Sequence, residues 1–429
     1  MRLRLRSAAV MLAVALSAMA CSDDPPPAAP EVFTPATGTD TDLTDPSTTL
    51  IPPAPEDPPE IEGPTLADFD VPCGRDAAPS PSSEVGVDDD VVVVGTGNDR
   101  GARFAGSFGA GMPEAVAAMA DHCTALGGVA GRGLLVESYD AAVVEVADRA
   151  REQCTEVLAV VGAGYATPIA GLEPWAECGM PIFEPRPSWL VTPDPIPIEA
   201  HRFAWFAEPA AGAVAVVVPD TLEGEAMALT IASALTADGF AVVADLRFSL
   251  GAEPDWIEIA DEVTASGAGL IHVEGSCADT VVPLLSAFGA ADTVPLVTAG
   301  PSTYDQGCIA SAAAAGAPVD RLLIQIPFLP LEDGDDAPVT QAFAEILASY
   351  AADVSGDALL ASAAFWSFAD AVDACGAELT RGCLQERLDG EGAGLTRRAD
   401  ATCRVVLGVD AGAFVRILPD EPGRLACAG

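Results

Sequence analysis

The sequence predicts an α/β protein of two similar halves, preceded by a segment that does not fold by itself. Three observations predict this. Short β-branched runs alternate with segments of helical spacing, as in a parallel sheet covered by helices. The alternation restarts near Val214. The region from Ser22 to about Val87 is dominated by Pro, Asp, Thr, Ser and Ala, with too few large apolar side chains to form a core.

In chain order, Arg2, Arg4 and Arg6 precede an uncharged apolar run, Ala8 to Ala20. That run is too short for a permanent membrane span and suits the apolar part of an export signal. It ends in Ala18-Met19-Ala20-Cys21, which resembles the lipobox of bacterial lipoproteins, with Ala18 where that pattern prefers Leu. The resemblance implies a signal peptide over 1–20 and a lipid on Cys21; ordinary secretory cleavage after Ala20 is the other reading, and both imply export. Residues 21–87 read as a disordered tether, on the order of 45 Å end to end as a flexible coil. Asp88, Asp89 and Asp90 read as a solvated edge before the first strand.

Composition narrows the partners. The chain has 429 residues, a formal net charge of −44 and 20 basic residues, all of them Arg. Such a surface repels nucleic acid and anionic headgroups, so no nucleic-acid partner is expected. Setting Cys21 aside leaves an even ten of the 11 cysteines, expected to pair in an oxidising compartment. Local spacing suggests Cys277–Cys308, Cys375–Cys383 and Cys403–Cys427, and leaves the pairing of Cys73, Cys123, Cys154 and Cys178 open. No metal site is expected: there is no CxxC, and His122, His201 and His272 stand apart. No cofactor is expected either, because Val94-Gly95-Thr96-Gly97 lacks the glycine spacing that cradles a pyrophosphate.

The first half reads as a strand at Val91–Val94, a helix at Pro113–Leu126 closed by Gly127-Gly128, a strand at Gly133–Ser138 and a helix at Ala141–Gln153. Strands at Val157–Val161 and Pro181–Phe183 follow. The second half reads as strands at Val214–Val218, Ala241–Leu246, Gly269–Val273 and Pro295–Thr298, separated by helices at Glu223–Ala237, Ile257–Ser266 and Val281–Phe288. A strand at Leu322–Ile326, helices over Pro338–Val354, Ala358–Gly376 and Cys383–Leu388, and a hairpin of Val405–Leu407 with Ala413–Leu418 complete the chain. Acidic Glu332-Asp333-Gly334-Asp335-Asp336 reads as a solvated turn.

Four segments carry a family resemblance. Gly127-Gly128-Val129-Ala130-Gly131-Arg132, after the first helix, resembles the GG-x-x-GR signature of type I periplasmic solute-binding proteins of the Leu/Ile/Val-binding kind. Val160-Val161-Gly162-Ala163-Gly164, Val218-Pro219-Asp220-Thr221-Leu222-Glu223-Gly224 and Val297-Thr298-Ala299-Gly300-Pro301 resemble, in order, the third strand with its site loop, the turn opening the second lobe and a later site loop. The resemblance implies two Rossmann-like lobes joined by a three-strand hinge, with residues 88–202 plus 327–376 in lobe 1 and 203–326 plus 377–429 in lobe 2. Ligands of open α/β sheets sit beyond the carboxyl ends of the strands. The candidates are therefore Thr96, Asn98, Gly164, Tyr165, Ser188 and Trp189 on the first lobe, and Glu223, Glu274, Ser276, Ser302 and Tyr304 on the second. Gly164 is expected to act through an exposed amide suited to an anionic group.

Departures from the pattern count against an α-amino-acid ligand. Gly164-Tyr165-Ala166-Thr167 offers few hydroxyls, Ser302 stands where Glu is common, and Glu223 stands where an aromatic is usual. The implied function is capture of a small polar molecule for an ABC importer by an extracytoplasmic, lipid-anchored protein. The alternative is a ligand-sensing or scaffolding clamshell at the cell surface. No enzyme is expected: there is no GxSxG, no HExxH and no His near a plausible nucleophile.

Overall fold

Four consecutive valines start a strand covered on both faces, and Val92 and Val94 are fully buried in β1, Val91–Asn98. The computed structural model of the chain describes residues 72–75, 81–102, 104, 108–184, 212–237, 239–289, 294–389, 403–418, 422–423 and 426–427. The expected export signal, Cys21, most of the expected tether, Ser188, Trp189 and the short crossover expected near Arg202 to Pro209 lie outside these residues.

After β1 come α1 (Met112–Ala125), β2 (Gly133–Asp140), α2 (Val146–Glu156), β3 (Ala159–Val161), α3 (Ile169–Glu177) and β4 (Ile182–Phe183). The four strands form one parallel sheet in the order β2-β1-β3-β4. The paired glycines after α1 both take positive φ. A side chain on Gly128 would place its Cβ 1.9 Å from the Arg132 carbonyl, so the turn into β2 needs glycine there. α3 was not visible in the sequence pattern, since it is nine residues long with Pro174 inside. α2 starts five residues later than the spacing predicts. Ala142 and Val143 have φ of 46° and 70°, which no helix accommodates.

The second sheet begins with β5 (Ala213–Pro219) and continues through α4 (Leu222–Ala237), β6 (Ala241–Phe248), α5 (Trp256–Ser266), β7 (Leu270–Val273), α6 (Val282–Phe288), β8 (Leu296–Ala299), α7 (Gln306–Ala314) and β9 (Leu322–Ile326). After α8 (Pro338–Ser349), α9 (Gly356–Cys375) and α10 (Arg381–Asp389), the chain adds β10 (Cys403–Asp410), β11 (Ala413–Leu418) and β12 (Ala426–Cys427). The strand order is β11-β10-β9-β8-β7-β5-β6, with β12 on β10. β5 to β9 are mutually parallel, and the hairpin β10–β11 closes the edge antiparallel.

Two sheets, each with its own helices, make two lobes. The chain passes between them three times, after β4, after β9 and after α10. α8 and α9 return to pack on α1, and α9 also lies on β3 and β4. α9 is long and apolar enough to cross a membrane, yet its apolar stretch is 78% buried, as befits a core helix. α10 departs from the boundary expected at residue 376. Its first residue, Arg381, donates from Nη2 to the carbonyls of Cys154 (2.8 Å) and Val157 (2.6 Å), and from Nη1 to that of Cys178 (3.3 Å). The segment through α10 thus sits with the first lobe.

The expected end of the tether at residue 87 also moves. Cys73 is bonded to Cys123 at the end of α1, Gly74 N–H donates to the Gly128 carbonyl, and Arg75 pairs with Asp373 of α9. Val87 is buried, and Gly86 accepts from Val93 N–H. The segments 72–75 and 81–87 therefore belong to the folded body. The cysteines left open pair as Cys73–Cys123 and Cys154–Cys178, beside Cys277–Cys308 and Cys375–Cys383. Cys403 and Cys427 are backbone partners between β10 and β12; their side chains lie outside the described residues.

Candidate functional site

The carboxyl ends of β1 and β3 converge on a buried acid that the sequence reading passed over. Asp99, one residue beyond β1, is fully buried. Its Oδ1 accepts from Val143 N–H and its Oδ2 from Ala166 N–H, both at 2.6 Å. One carboxylate so fixes the loop after β2 and the loop after β3. Thr167 Oγ1 donates to the Val143 carbonyl at 2.8 Å, which locks the left-handed turn at Val143 from the other side. The only hint in the sequence was an acid immediately after the strand carrying Thr96 and Asn98.

Each described candidate on this lobe has an internal partner. Thr96 Oγ1 donates to the Gly162 carbonyl at 3.1 Å, and Asn98 Nδ2 donates to Ser138 Oγ at 2.9 Å. Gly164 N–H donates to the Gly97 carbonyl at 2.8 Å, so the expectation of an exposed, anion-holding amide is corrected. Gly164 also lies against Gly109: a Cβ on either residue would come within 2.5 Å of the other's backbone. Tyr165 faces the lobe interior and is 1% exposed. Its hydroxyl accepts from Gln153 Nε2, whose amide oxygen in turn accepts from Trp175 Nε1. Burial, aided by the Asp99 charge, holds the Tyr165 hydroxyl far above its ordinary pKa.

On the second lobe the ends of β7 and β8 meet. His272 Nδ1 lies 3.0 Å from Thr298 Oγ1, and its Nε2 lies 3.0 Å from Glu274 Oε1. Thr298 Oγ1 donates to the Ile271 carbonyl, which leaves it to accept from His272 Nδ1–H. Ser276 caps the turn after β7 by accepting from Asp279 N–H, and Ser302 donates to Asp357 Oδ1 at 2.7 Å. Tyr304 donates to Glu332 Oε2 at 2.8 Å and accepts from Leu331 N–H; its ring packs on Phe328 and Phe414. Burial raises Tyr304 strongly, with the Glu332 charge adding to it, and burial also raises Glu332. The segment read as a solvated acidic turn is thus part of the packed body. Asp333 is buried against Arg416 of β11 and accepts from Gly423 N–H.

The lobes touch through a small set of groups. Glu223, in the first turn of α4, reaches across to α3, and its Oε1 accepts from Ile169 N–H at 2.8 Å. It is 6% exposed. Gly356 N–H, opening α9, donates to the Tyr304 carbonyl at 2.7 Å, and a Cβ there would strike the Pro301 carbonyl at 2.0 Å. Ser302 meets Asp357 on the same helix end. The structure thus brings Glu223, Ser302 and Tyr304 to the junction, turns Tyr165 and Thr96 inward, and spends Ser276 on a helix cap.

A family model described as "Periplasmic binding protein" matches residues 91–392, more than half of the chain. The chain belongs to the periplasmic binding protein family. Solved structures share the fold of this binding protein at low identity. A fatty acid ABC transporter substrate-binding protein from Thermomonospora curvata superposes with a TM-score of 0.65 at 15% identity, covering 79% of this chain and 94% of that one. The leucine binding protein LivK from Thermotoga maritima does so with 0.62 at 18%, covering 76% and 99%. LivJ from Streptococcus pneumoniae, a branched-chain amino acid transporter substrate binding protein solved with isoleucine, gives 0.56 at 16%, covering 76% and 100%. A comparison with curated proteins found no match.

The family is one of solute binders whose members act outside the cytoplasm, and the arrangement in this binding protein suits capture. Polar groups are held in place at the strand ends by partners within the chain, and the lobes meet through Glu223 with Ile169, Gly356 with Tyr304 and Ser302 with Asp357.

Proposed function

We propose that this binding protein is exported, anchored by a lipid on Cys21, and delivers a small polar solute, captured between its lobes, to the permease of an ABC importer. The observation that carries the reading is the pairing of two parallel sheets whose carboxyl ends face one another across exchangeable contacts, within a chain of the binding-protein family. The division proposed is 88–202 plus 327–389 for lobe 1, joined by the segments 72–75 and 81–87, and 203–326 plus 390–429 for lobe 2. Within the candidate set, Glu223, Glu274 and Ser302 are the residues proposed to meet solute, with Thr96, Asn98, Gly164, Tyr165, Ser276 and Tyr304 shaping the walls around them. Ser188 and Trp189 remain proposed ligand-binding residues of the first lobe. No side chain is assigned a chemical step, so no enzymatic activity is proposed.

The test is a thermal-shift screen of the full chain, disulfides intact, against amines, amides, sugars, peptides and carboxylates. A ligand at about a hundredfold over its dissociation constant stabilises by about 2.7 kcal/mol, a shift of several degrees. Absence of any hit on a folded sample, with no solute retained from cells by native mass spectrometry, counts against capture. Lipidation is tested separately by labelling with a fatty acid: Cys21→Ala should abolish the label.

A sensing or scaffolding clamshell without transport is the second reading. It is favoured by one observation, that the candidate groups described above already have partners within the chain. Loss of solute uptake on deleting this protein supports delivery; unchanged uptake with altered surface signalling supports the second reading.

A further inference from the structure

α3 begins without a cap from its own lobe. Pro168, at its N-cap, offers no side-chain acceptor, and the first turn carries no acid. Two of the opening donors are met by turn bonds, Ala170 N–H to the Thr167 carbonyl (3.3 Å) and Gly171 N–H to that of Pro168 (2.9 Å). Ile169 N–H is met from the second lobe, by Glu223 Oε1 at 2.8 Å. Glu223 stands in the first turn of α4 and is buried, so this acid is withdrawn from water and bonded across the lobes.

The bonds of Ser302 with Asp357 and of Gly356 with Tyr304 lie elsewhere, joining the turn after β8 to the start of α9. Tyr304 is also bonded to Leu331 and Glu332, in the passage that follows β9. That group marks a pivot, where the chain itself keeps the lobes connected. Glu223 and Ile169 belong to no passage, and a turn about the pivot parts them. A hydrogen bond is lost once its groups separate by about 0.5–1 Å.

We infer that Glu223 is a clasp between the lobes: by capping α3 from the opposite lobe it holds the two together, and opening requires this bond to break. Both partners belong to the chain, so the contact needs no solute. The inference goes beyond solute capture and does not depend on it. A solute that engages the Glu223 carboxylate must replace the bond to Ile169. Loss of the clasp should free the lobes and leave α3 folded. Cys154–Cys178 closes the far end of that helix, and Trp175 is buried with its Nε1 donating to Gln153.

The test follows the distance between the lobes in the full chain, freed of carried-over solute by unfolding in urea and refolding with its disulfides intact. A fluorophore pair is attached through azide-bearing residues in place of Glu177, at the end of α3, and Ser233 of α4, both exposed. Single-molecule energy transfer then counts closed and open molecules. The wild type should be mainly closed. Glu223→Ala should raise the ratio of open to closed molecules by about tenfold or more, as loss of a hydrogen bond to a charged acceptor implies, with far-ultraviolet circular dichroism unchanged. Two results overturn the inference: a wild type that is mainly open, or a Glu223→Ala distance distribution that matches the wild type. If Glu223→Ala does not fold, Glu223→Met, of similar length and with no oxygen to accept, decides by the same two criteria.

Discussion

At the scale of single residues, the buried acid Asp99 has the largest consequence. Removing its carboxylate leaves two N–H groups without their acceptor and releases a valine held at positive φ. Asp99→Ala should therefore lower stability by about 2–5 kcal/mol, read from urea unfolding. A change below about 0.5 kcal/mol would mean the loops are held by other contacts. His122 gives a pH dependence. It is buried in α1, its ring edge against Tyr350, with no hydrogen-bond partner for Nδ1 among the described residues. Burial holds its pKa below the ordinary 6.5. The unfolded chain then binds a proton more readily than the folded one. This group's effect is absent above about pH 7.5, lowers stability as pH falls through 6.5, and levels off once both states are protonated. His122→Leu should flatten that part of the stability profile, and an unchanged slope would assign it to other groups. Asp99 and Glu223 show where reading a sequence stops. Residue type and position after a strand marked Glu223 as a candidate, but its partner, Ile169, is 54 positions away and on the other lobe. Asp99 lay beside two named candidates and looked like one acid among 64 Asp and Glu.

At the scale of elements, strands were legible because β-branched runs such as Val214–Val218 are unambiguous when buried on both faces. The elements missed include α3, nine residues long with Pro174 inside, and α7, a short Ala-rich helix with little contrast between its faces. Their existence is decided by packing and, for α3, by a covalent closure. Cys154 at the end of α2 is bonded to Cys178 just after α3, and Arg381 of α10 holds the carbonyls of both cysteines. Local spacing suggested the pairs Cys277–Cys308 and Cys375–Cys383, whereas Cys73–Cys123 joins cysteines 50 positions apart, which only the fold brings together. Replacing Cys154 and Cys178 together by Ser should cost about 3 kcal/mol on the loop-entropy account. Urea midpoints with and without reductant check it: the double variant should lose the reductant sensitivity that this pair contributes. α10 was placed with the wrong lobe for the same reason, since nothing local to 381–389 announces carbonyl partners more than 200 residues earlier.

At the scale of the whole molecule, a net charge of −44 acts on every other term. The ion pairs Arg149–Glu145, Arg149–Glu152 and Arg151–Asp148 are solvent-facing and contribute little individually. Repulsion among the unpaired acids is the larger effect and is screened over about 8–10 Å at physiological salt. The melting temperature should rise as NaCl is raised from low concentration through the physiological range. A melting temperature that falls with salt would mean that attractive pairs outweigh the repulsion. The two-lobe plan itself was legible from the restart of the strand–helix alternation near Val214. The side that α10 joins was not, because that depends on contacts of Arg381 with carbonyls far upstream.

The disulfide between Cys73 and Cys123 has a mechanical consequence. A pull on the chain upstream of residue 73 does not travel along 74–90 to peel β1 from its sheet. It crosses the Sγ–Sγ bond into α1, and the Arg75–Asp373 pair shares part of it with α9. The first lobe therefore takes up any pull applied upstream of residue 73. The second lobe receives such a pull only at second hand, through the chain passages and through contacts such as Glu223 with Ile169 and Gly356 with Tyr304.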